Sequence, residues 1–303
     1  MLNKTIKSCI NLWSSPTFLT FLAIGLISVV YILFAVCGLD PDYGLHIASG
    51  QYILKHGLIR NDLFSYTMTS YPLVDHEWLT RVILFVLNNS IGKLGLAVIF
   101  TIMAISSLIL TIPKGLFRIS PILLLLSATI LLPFFGIRPQ VISWLFFAVL
   151  VRTLRQGGWQ KPPLWLPIFF LAWANLHGGF IIGLVVLVLA MLISSCQSKS
   201  IRAYPIIILI FSILATLINP YGVSLWTETL QVASDTKLRW TIEEWHPYLT
   251  FSGAFTLFAS LSFVLIAHYR KMIGLVAISV SIFILAAGLS SSRNMPFWVL
   301  FTL

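Results

Sequence analysis

The residues best suited to chemistry are Asp40, Asp42 and His46, in the stretch LDPDYGLHIASG that follows an apolar run of about twenty residues. A carboxylate and an imidazole one helical turn apart can take up a proton together, so Asp42 and His46 suit general-base work. The spacing predicts a helix over 43–56 with Asp42, His46 and Ser49 at i, i+4 and i+7 on one face, and Tyr43, Ile47 and Leu54 on another. Acids also cap helix N-termini, and one of the two suits that role. Two acids where an apolar run ends, with His46 behind them, favour a site, because ionisable groups placed at a membrane tend to be functional.

A second cluster, Asp75, His76 and Glu77, opens the segment DHEWLTRVIL. Here the pattern predicts a helix over 76–90 lying on the membrane surface, capped by Asp75, with Glu77 and Arg81 paired at i,i+4 on its polar side. Four more segments contribute single candidates: GIRPQ holds Arg138, ANLHGG holds Asn175 and His177, SSRNMP holds Arg293, and the loop from INPYG to EEWHP holds Glu228, Glu243, Glu244 and His246. Taken singly, these suit ordinary turns or a snorkelling arginine; the signal is that they fall on one face. Carboxylates with histidines suit acid–base catalysis or a divalent cation such as Mg²⁺ or Mn²⁺, with the ligands left open. Arginines near a bilayer suit a phosphate held by bidentate contacts. Together they describe a lipid-phosphate substrate. A zinc hydrolase is disfavoured, because DHEWLT has no second histidine four residues after His76.

The elements that position these residues are membrane spans. Hydrophobic residues make up 58% of the chain and charged ones 9%, against about 25% charged in soluble domains. The expected fold is all-α, a single polytopic membrane domain over 1–303 with roughly nine to ten spans. The first span is 17–38, retained because it is too long for a signal-peptide core. A long outer loop, 39–91, carries two membrane-surface helices, and the remaining spans fill 92–303. Apolar runs fall at 93–113, 119–136, 139–156, 203–219, 253–269 and 272–290; 163–195 reads as a hairpin of two short helices around NLHGG, and the last expected span reaches only Leu303. Cys9, Cys37 and Cys196 show no metal-ligand or disulfide spacing.

The net charge of +10 is scattered among apolar segments and forms no stripe, so nucleic acid is not an expected partner. It encodes orientation. With Lys4 and Lys7 in the cytoplasm, Lys114, Arg118, Arg152, Arg155, Lys161, Lys199, Arg202, Arg270 and Lys271 fall inside as well, as the positive-inside rule prefers. All nine acids then fall outside, provided that 76–90 does not cross. The working face is therefore expected to be extracytoplasmic.

At LDPDYGLHIASGQYILKHGLIRNDLFSYT, with DHEWLTRVIL behind it, the sequence resembles bacterial membrane glycosyltransferases of the GT-C class, related to protein mannosyltransferases and lipid A aminoarabinose transferases. WANLHGGF, INPYG and EEWHP are similar to recurring pieces of an uncharacterised branch of that class. The resemblance implies a bacterial plasma-membrane enzyme that moves a sugar from a polyprenyl-phosphate donor to a glycan, lipid or protein acceptor on the outer face. It implies that Asp40 or Asp42 is the catalytic base, with His46 beside it. On the chemistry of the residues themselves, Arg138 and Arg293 would hold the leaving phosphate, His46 with Asp75, His76 and Glu77 would orient the acceptor or bind a cation, and His177, Glu244 and His246 would line the substrates. The better-known members read Asp-Glu at this motif, whereas Pro41 splits the pair here. A transporter or flippase for a lipid-linked or polar solute is the alternative, although transporters place ionisable groups at mid-membrane, where these spans have almost none.

Overall fold

The structure, a computed structural model, describes residues 15–38, 40–68, 70–113, 120–157, 161–198, 203–247, 254–269 and 273–303. Among them are thirteen α-helices and no strand beyond an isolated antiparallel bridge from Asn61 to Pro72. The chain is all-helical. Lys4, Lys7, Cys9, Lys114, Arg118, Lys199, Arg202, Arg270 and Lys271 lie outside the described residues.

Helix α1, Pro16–Cys37, starts where Ser15 Oγ accepts the Phe18 N–H at 3.2 Å and Pro16 supplies the φ of the first turn. It is apolar throughout: Phe21, Leu22, Leu26, Val29 and Leu33 are exposed, while Ala23, Ile27, Tyr31 and Ala35 are buried. The next helix, α2, is Tyr43–His56, which matches the expected 43–56, and it stops at Gly57 with φ 87°, a conformation that suits glycine.

Helix α3, Trp78–Thr111, joins two expected elements. The predicted surface helix 76–90 and the predicted span 93–113 run on from one another, broken only at Gly92, whose φ of 67° is non-helical. Leucine, isoleucine and phenylalanine continue on both sides of the break, so the helix carries on through Asn88, Asn89 and Ser90 and departs from helical geometry only at that glycine.

Helices α4 (Ser120–Leu131) and α5 (Pro139–Gly157) bracket a short 3-10 turn at Leu132–Phe134. The expected hairpin is present as α6 (Leu166–Leu176) and α7 (Phe180–Ser198) around His177–Gly179, with α7 longer than expected. Then follow α8 (Ala203–Thr216), α9 (Ser224–Ser234), α10 (Thr236–Thr241), α11 (Ala254–His268), α12 (Leu275–Ser290) and α13 (Met295–Thr302). Among the described residues three helices, α1, α3 and α7, are long and apolar enough to cross a membrane, and α4, α6, α8 and α12 are shorter apolar helices.

The core lies between α3, α5, α6, α7 and α13, around Trp144, Phe147, Phe170, Trp173, Phe180 and Trp298, all at most 1% exposed. Tyr31 donates its hydroxyl to Ala128 O at 2.7 Å and ties α1 to α4. The two ends of α3 and α5 differ in chemistry. At their C-terminal ends Arg152 donates to Leu110 O at 3.3 Å and Arg155 to Thr111 O at 3.0 Å and to Phe301 O, so arginines satisfy carbonyls at helix ends. Their N-terminal ends carry Glu77 and Arg138.

Candidate functional site

Glu77 is the hub. It precedes α3, is 6% exposed, and has five partners from four parts of the chain. Its Oε1 lies 3.5 Å from His177 Nε2, 3.6 Å from His76 Nε2 and 3.9 Å from Arg293 Nη2; its Oε2 lies 3.8 Å from both His46 Nδ1 and Arg81 Nη2. Burial by itself raises a carboxyl pKa, but these N–H and cationic groups, His76 foremost, outweigh it and hold Glu77 down at about 2. Glu77 is therefore ionised at neutral pH.

Close packing of two helices brings these groups together. A Cβ on Gly50 would sit 2.1 Å from Arg81 O, so only glycine there allows α2 to lie against the start of α3. That contact buries His46, Ser49 and Gly50 on the expected face of α2, and Arg81 Nη1 donates to Ser49 Oγ at 3.2 Å. From the other side, Trp78 donates to Asn175 Oδ1 at 3.2 Å and Thr80 to Leu176 O at 2.6 Å, which fixes the α6–α7 turn and places His177 over Glu77.

Two expectations about this segment are corrected. Asp75 does not cap the helix by reaching into its first turn: its Oδ1 accepts the Glu77 N–H at 3.0 Å and lies 3.3 Å from Arg81 Nε. The Glu77–Arg81 pair does form, but it is buried, because α2 and the α6–α7 turn cover the side expected to be polar. Burial raises the Asp75 pKa, with Arg81 opposing.

A second cluster stands nearer the surface. Arg138, in the turn before α5, donates Nε to Asp40 Oδ2 at 2.6 Å and Nη1 to Glu244 Oε1 at 2.8 Å. Its guanidinium is thus shared by two carboxylates rather than left open. Asp40 Oδ1 accepts the Asp42 N–H at 3.1 Å, while the Asp42 side chain makes no capping bond and is exposed. Ser292 donates Oγ–H to Glu244 O at 2.6 Å, and its backbone N–H to His246 O at 3.0 Å, so the EEWHP segment packs on the turn that carries Arg293. The His246 ring is outside the hub, with Nε2 3.0 Å from Trp240 O.

Arg293 joins the hub to a cavity of about 250 Å³. Its guanidinium lies 5.2 Å over the Trp245 ring. His76, His177, Arg239 and Arg293 line the polar side, and Ile181, Ile182, Leu230 and Phe297 are among the apolar side chains. Burial pushes the His177 pKa down to about 3 and lowers that of His46, so both are neutral at pH 7. Among the described residues no group of three or more His, Cys, Asp or Glu is arranged to hold a metal ion.

Sequence reasoning missed Gln140, which donates to Arg293 O at 3.0 Å, and Ser143 and Trp173, which support His177. Arg138, Gln140 and Ser143 lie close together in RPQVIS, and Gln140 and Ser143 share a helix face at i,i+3, a signal that was available. For Trp173 there was none, since a tryptophan inside an apolar run reads as core. Glu228 lines the cavity, whereas Glu243 is exposed beside Glu244.

Comparison of the chain with family models, with curated proteins and with solved structures finds no match.

Proposed function

We propose that this chain is a polytopic membrane glycosyltransferase of the GT-C type, using a polyprenyl-phosphate sugar on the extracytoplasmic face of a bacterial plasma membrane. The observation that carries this reading is the amphipathic cavity, whose lining combines Arg293 with apolar side chains such as Ile181, Ile182, Leu230 and Phe297. A lipid phosphate needs both features at once.

On this reading Arg293 binds the phosphate. The acceptor hydroxyl or amine attacks the anomeric carbon from the face opposite the donor oxygen. The carbon–oxygen bond to the phosphate breaks as the bond to the acceptor forms, with inversion, and the lipid phosphate leaves with its electron pair. Asp40 or Asp42 takes the acceptor's proton. Asp42 has the open carboxylate; Asp40 becomes free only when Arg138 turns from it, and an incoming phosphate gives Arg138 a reason to turn. His46 and Glu77 hold the field of the site, and no step needs a cation.

The ionisable groups cluster at helix ends and not at mid-helix, which favours surface chemistry over carriage of a solute. Mass analysis of lipid-linked sugars and surface glycans in cells with and without the protein tests the reading. A lipid-linked sugar should accumulate, and one surface glycan disappear, in cells lacking it. Unchanged profiles, together with solute flux in proteoliposomes, would establish the transporter instead.

A further inference from the structure

His177 lies in the turn between α6 and α7, 5% exposed, and its two ring nitrogens have different surroundings. Nδ1 accepts the backbone N–H of Gly179 at 2.9 Å. A backbone amide only donates, so Nδ1 carries no hydrogen. Ser143 Oγ lies 2.7 Å from the same Nδ1, and Trp173 Nε1, also only a donor, gives its hydrogen to that Oγ at 2.7 Å. The serine must then turn its own hydrogen toward Nδ1. A neutral ring has one hydrogen, and it is left on Nε2, which faces Glu77 Oε1 at 3.5 Å and has no hydrogen-bond partner among the described residues.

The backbone is built for this arrangement. A Cβ on Gly179 would stand 2.5 Å from Ser143 Oγ and 3.0 Å from His177 Nδ1, so the amide could not approach with any other residue in its place. Metal-bound histidines show the reverse pattern, in which the nitrogen away from the ion donates to a carbonyl or carboxylate and the ligating nitrogen is bare.

We infer that Trp173, Ser143 and Gly179 form a tautomer lock that keeps the ring hydrogen of His177 on Nε2, facing the Glu77 carboxylate, closes that nitrogen to metals, and through Glu77 positions Arg293. Glu77 Oε1 faces both His177 Nε2 and Arg293 Nη2, so the donor that orients the carboxylate also sets where the guanidinium rests at the cavity. The lock itself is independent of the proposed reaction. Only the role of Arg293 as phosphate holder rests on it.

The test uses the full chain in lipid nanodiscs at pH 7, labelled with ¹⁵N-histidine, with the His177 signals assigned by their loss in His177→Gln. A one-bond hydrogen on Nε2, a bare Nδ1, and no change on adding ZnCl₂ are expected. A hydrogen on Nδ1, or a zinc-induced shift of Nε2, overturns the lock. Binding of undecaprenyl phosphate tests the positioning. Glutamine at 177 can bring an amide N–H to the place of Nε2 and should keep affinity within about threefold; the shorter side chain of His177→Asn reaches only the place of Nδ1 and should lose about tenfold or more, the effect of one displaced charge-assisted contact. Equal affinities for the two variants overturn the positioning role. If the wild type does not bind the probe, the phosphate reading fails, and the ¹⁵N spectrum alone decides the lock.

Discussion

The Glu77 hub and the Asp40–Arg138–Glu244 group use the same residue types under different burial. Glu77 is enclosed by groups that arrive from α2, α3, the α6–α7 turn and the turn before α13, of which Arg81 and His177 are held by further hydrogen bonds. Arg138 has shorter contacts, and it and Asp40 are only 20% and 14% exposed, but the Glu244 side chain is 36% exposed and the Asp42 side chain is open. A buried ionic network costs several kcal/mol to disturb, whereas a half-exposed pair exchanges partners cheaply. The hub is thus suited to hold geometry, and the outer group to change partners when substrates arrive.

That contrast is sharpened first at the aspartates. Replacing the true base, by Asp40→Asn or Asp42→Asn, is expected to lower sugar transfer by about 10²–10⁴-fold, seen as accumulated lipid-linked sugar, with the chain still inserted and monodisperse by membrane fractionation and size-exclusion chromatography. Full transfer by both variants would remove the base from the outer group. Glu77→Gln comes next. It leaves Arg81 and Arg293 partly buried with less counter-charge, and is expected to cost about 3–5 kcal/mol, a fall in the thermal unfolding midpoint on the order of 10 °C. An unchanged midpoint would mean that the hub is not structural.

Acid should act on the hub as well. His177, with its pKa held down to about 3 by burial, binds a proton in the unfolded chain below the ordinary histidine value of about 6.5 but not in the folded one, so stability falls as pH drops from that value toward 3. Glu77 adds a loss of the same sign between the ordinary carboxyl value and about 2. Asp75, raised by burial, opposes them. Unfolding midpoints measured from pH 7 to 4 should decline, and His177→Gln should flatten the decline. A slope that this substitution leaves untouched would place the acid sensitivity elsewhere. The smallest effect is expected from Glu244→Gln, which loosens a partly exposed pair and should shift stability by less than about 1 kcal/mol.

The fold was legible where periodicity and length decide it. Helix α2 was readable because an acid pair precedes it and Gly57 ends it, and the α6–α7 hairpin because NLHGG interrupts two apolar runs. Continuity through Gly92 was not, since a glycine after two asparagines reads equally as a loop. In the site, the expectation that acids and histidines gather came from counting charges between apolar runs, and several of them do meet around Glu77. Which of them meet depends on pairs far apart in the chain, such as Asp40 with Arg138, 98 residues on, and on Gly50 letting two helices touch. No local pattern marks Glu77 as the residue that the others surround, because burial there is set by three separate elements.

The account rests on both groups facing the extracytoplasmic side, opposite the arginines at the far ends of α3 and α5. Asp42→Cys in a chain otherwise free of cysteine, treated with a membrane-impermeant maleimide, measures this directly. Labelling in intact spheroplasts and protection in inverted vesicles is the expected result; the opposite pattern would contradict it.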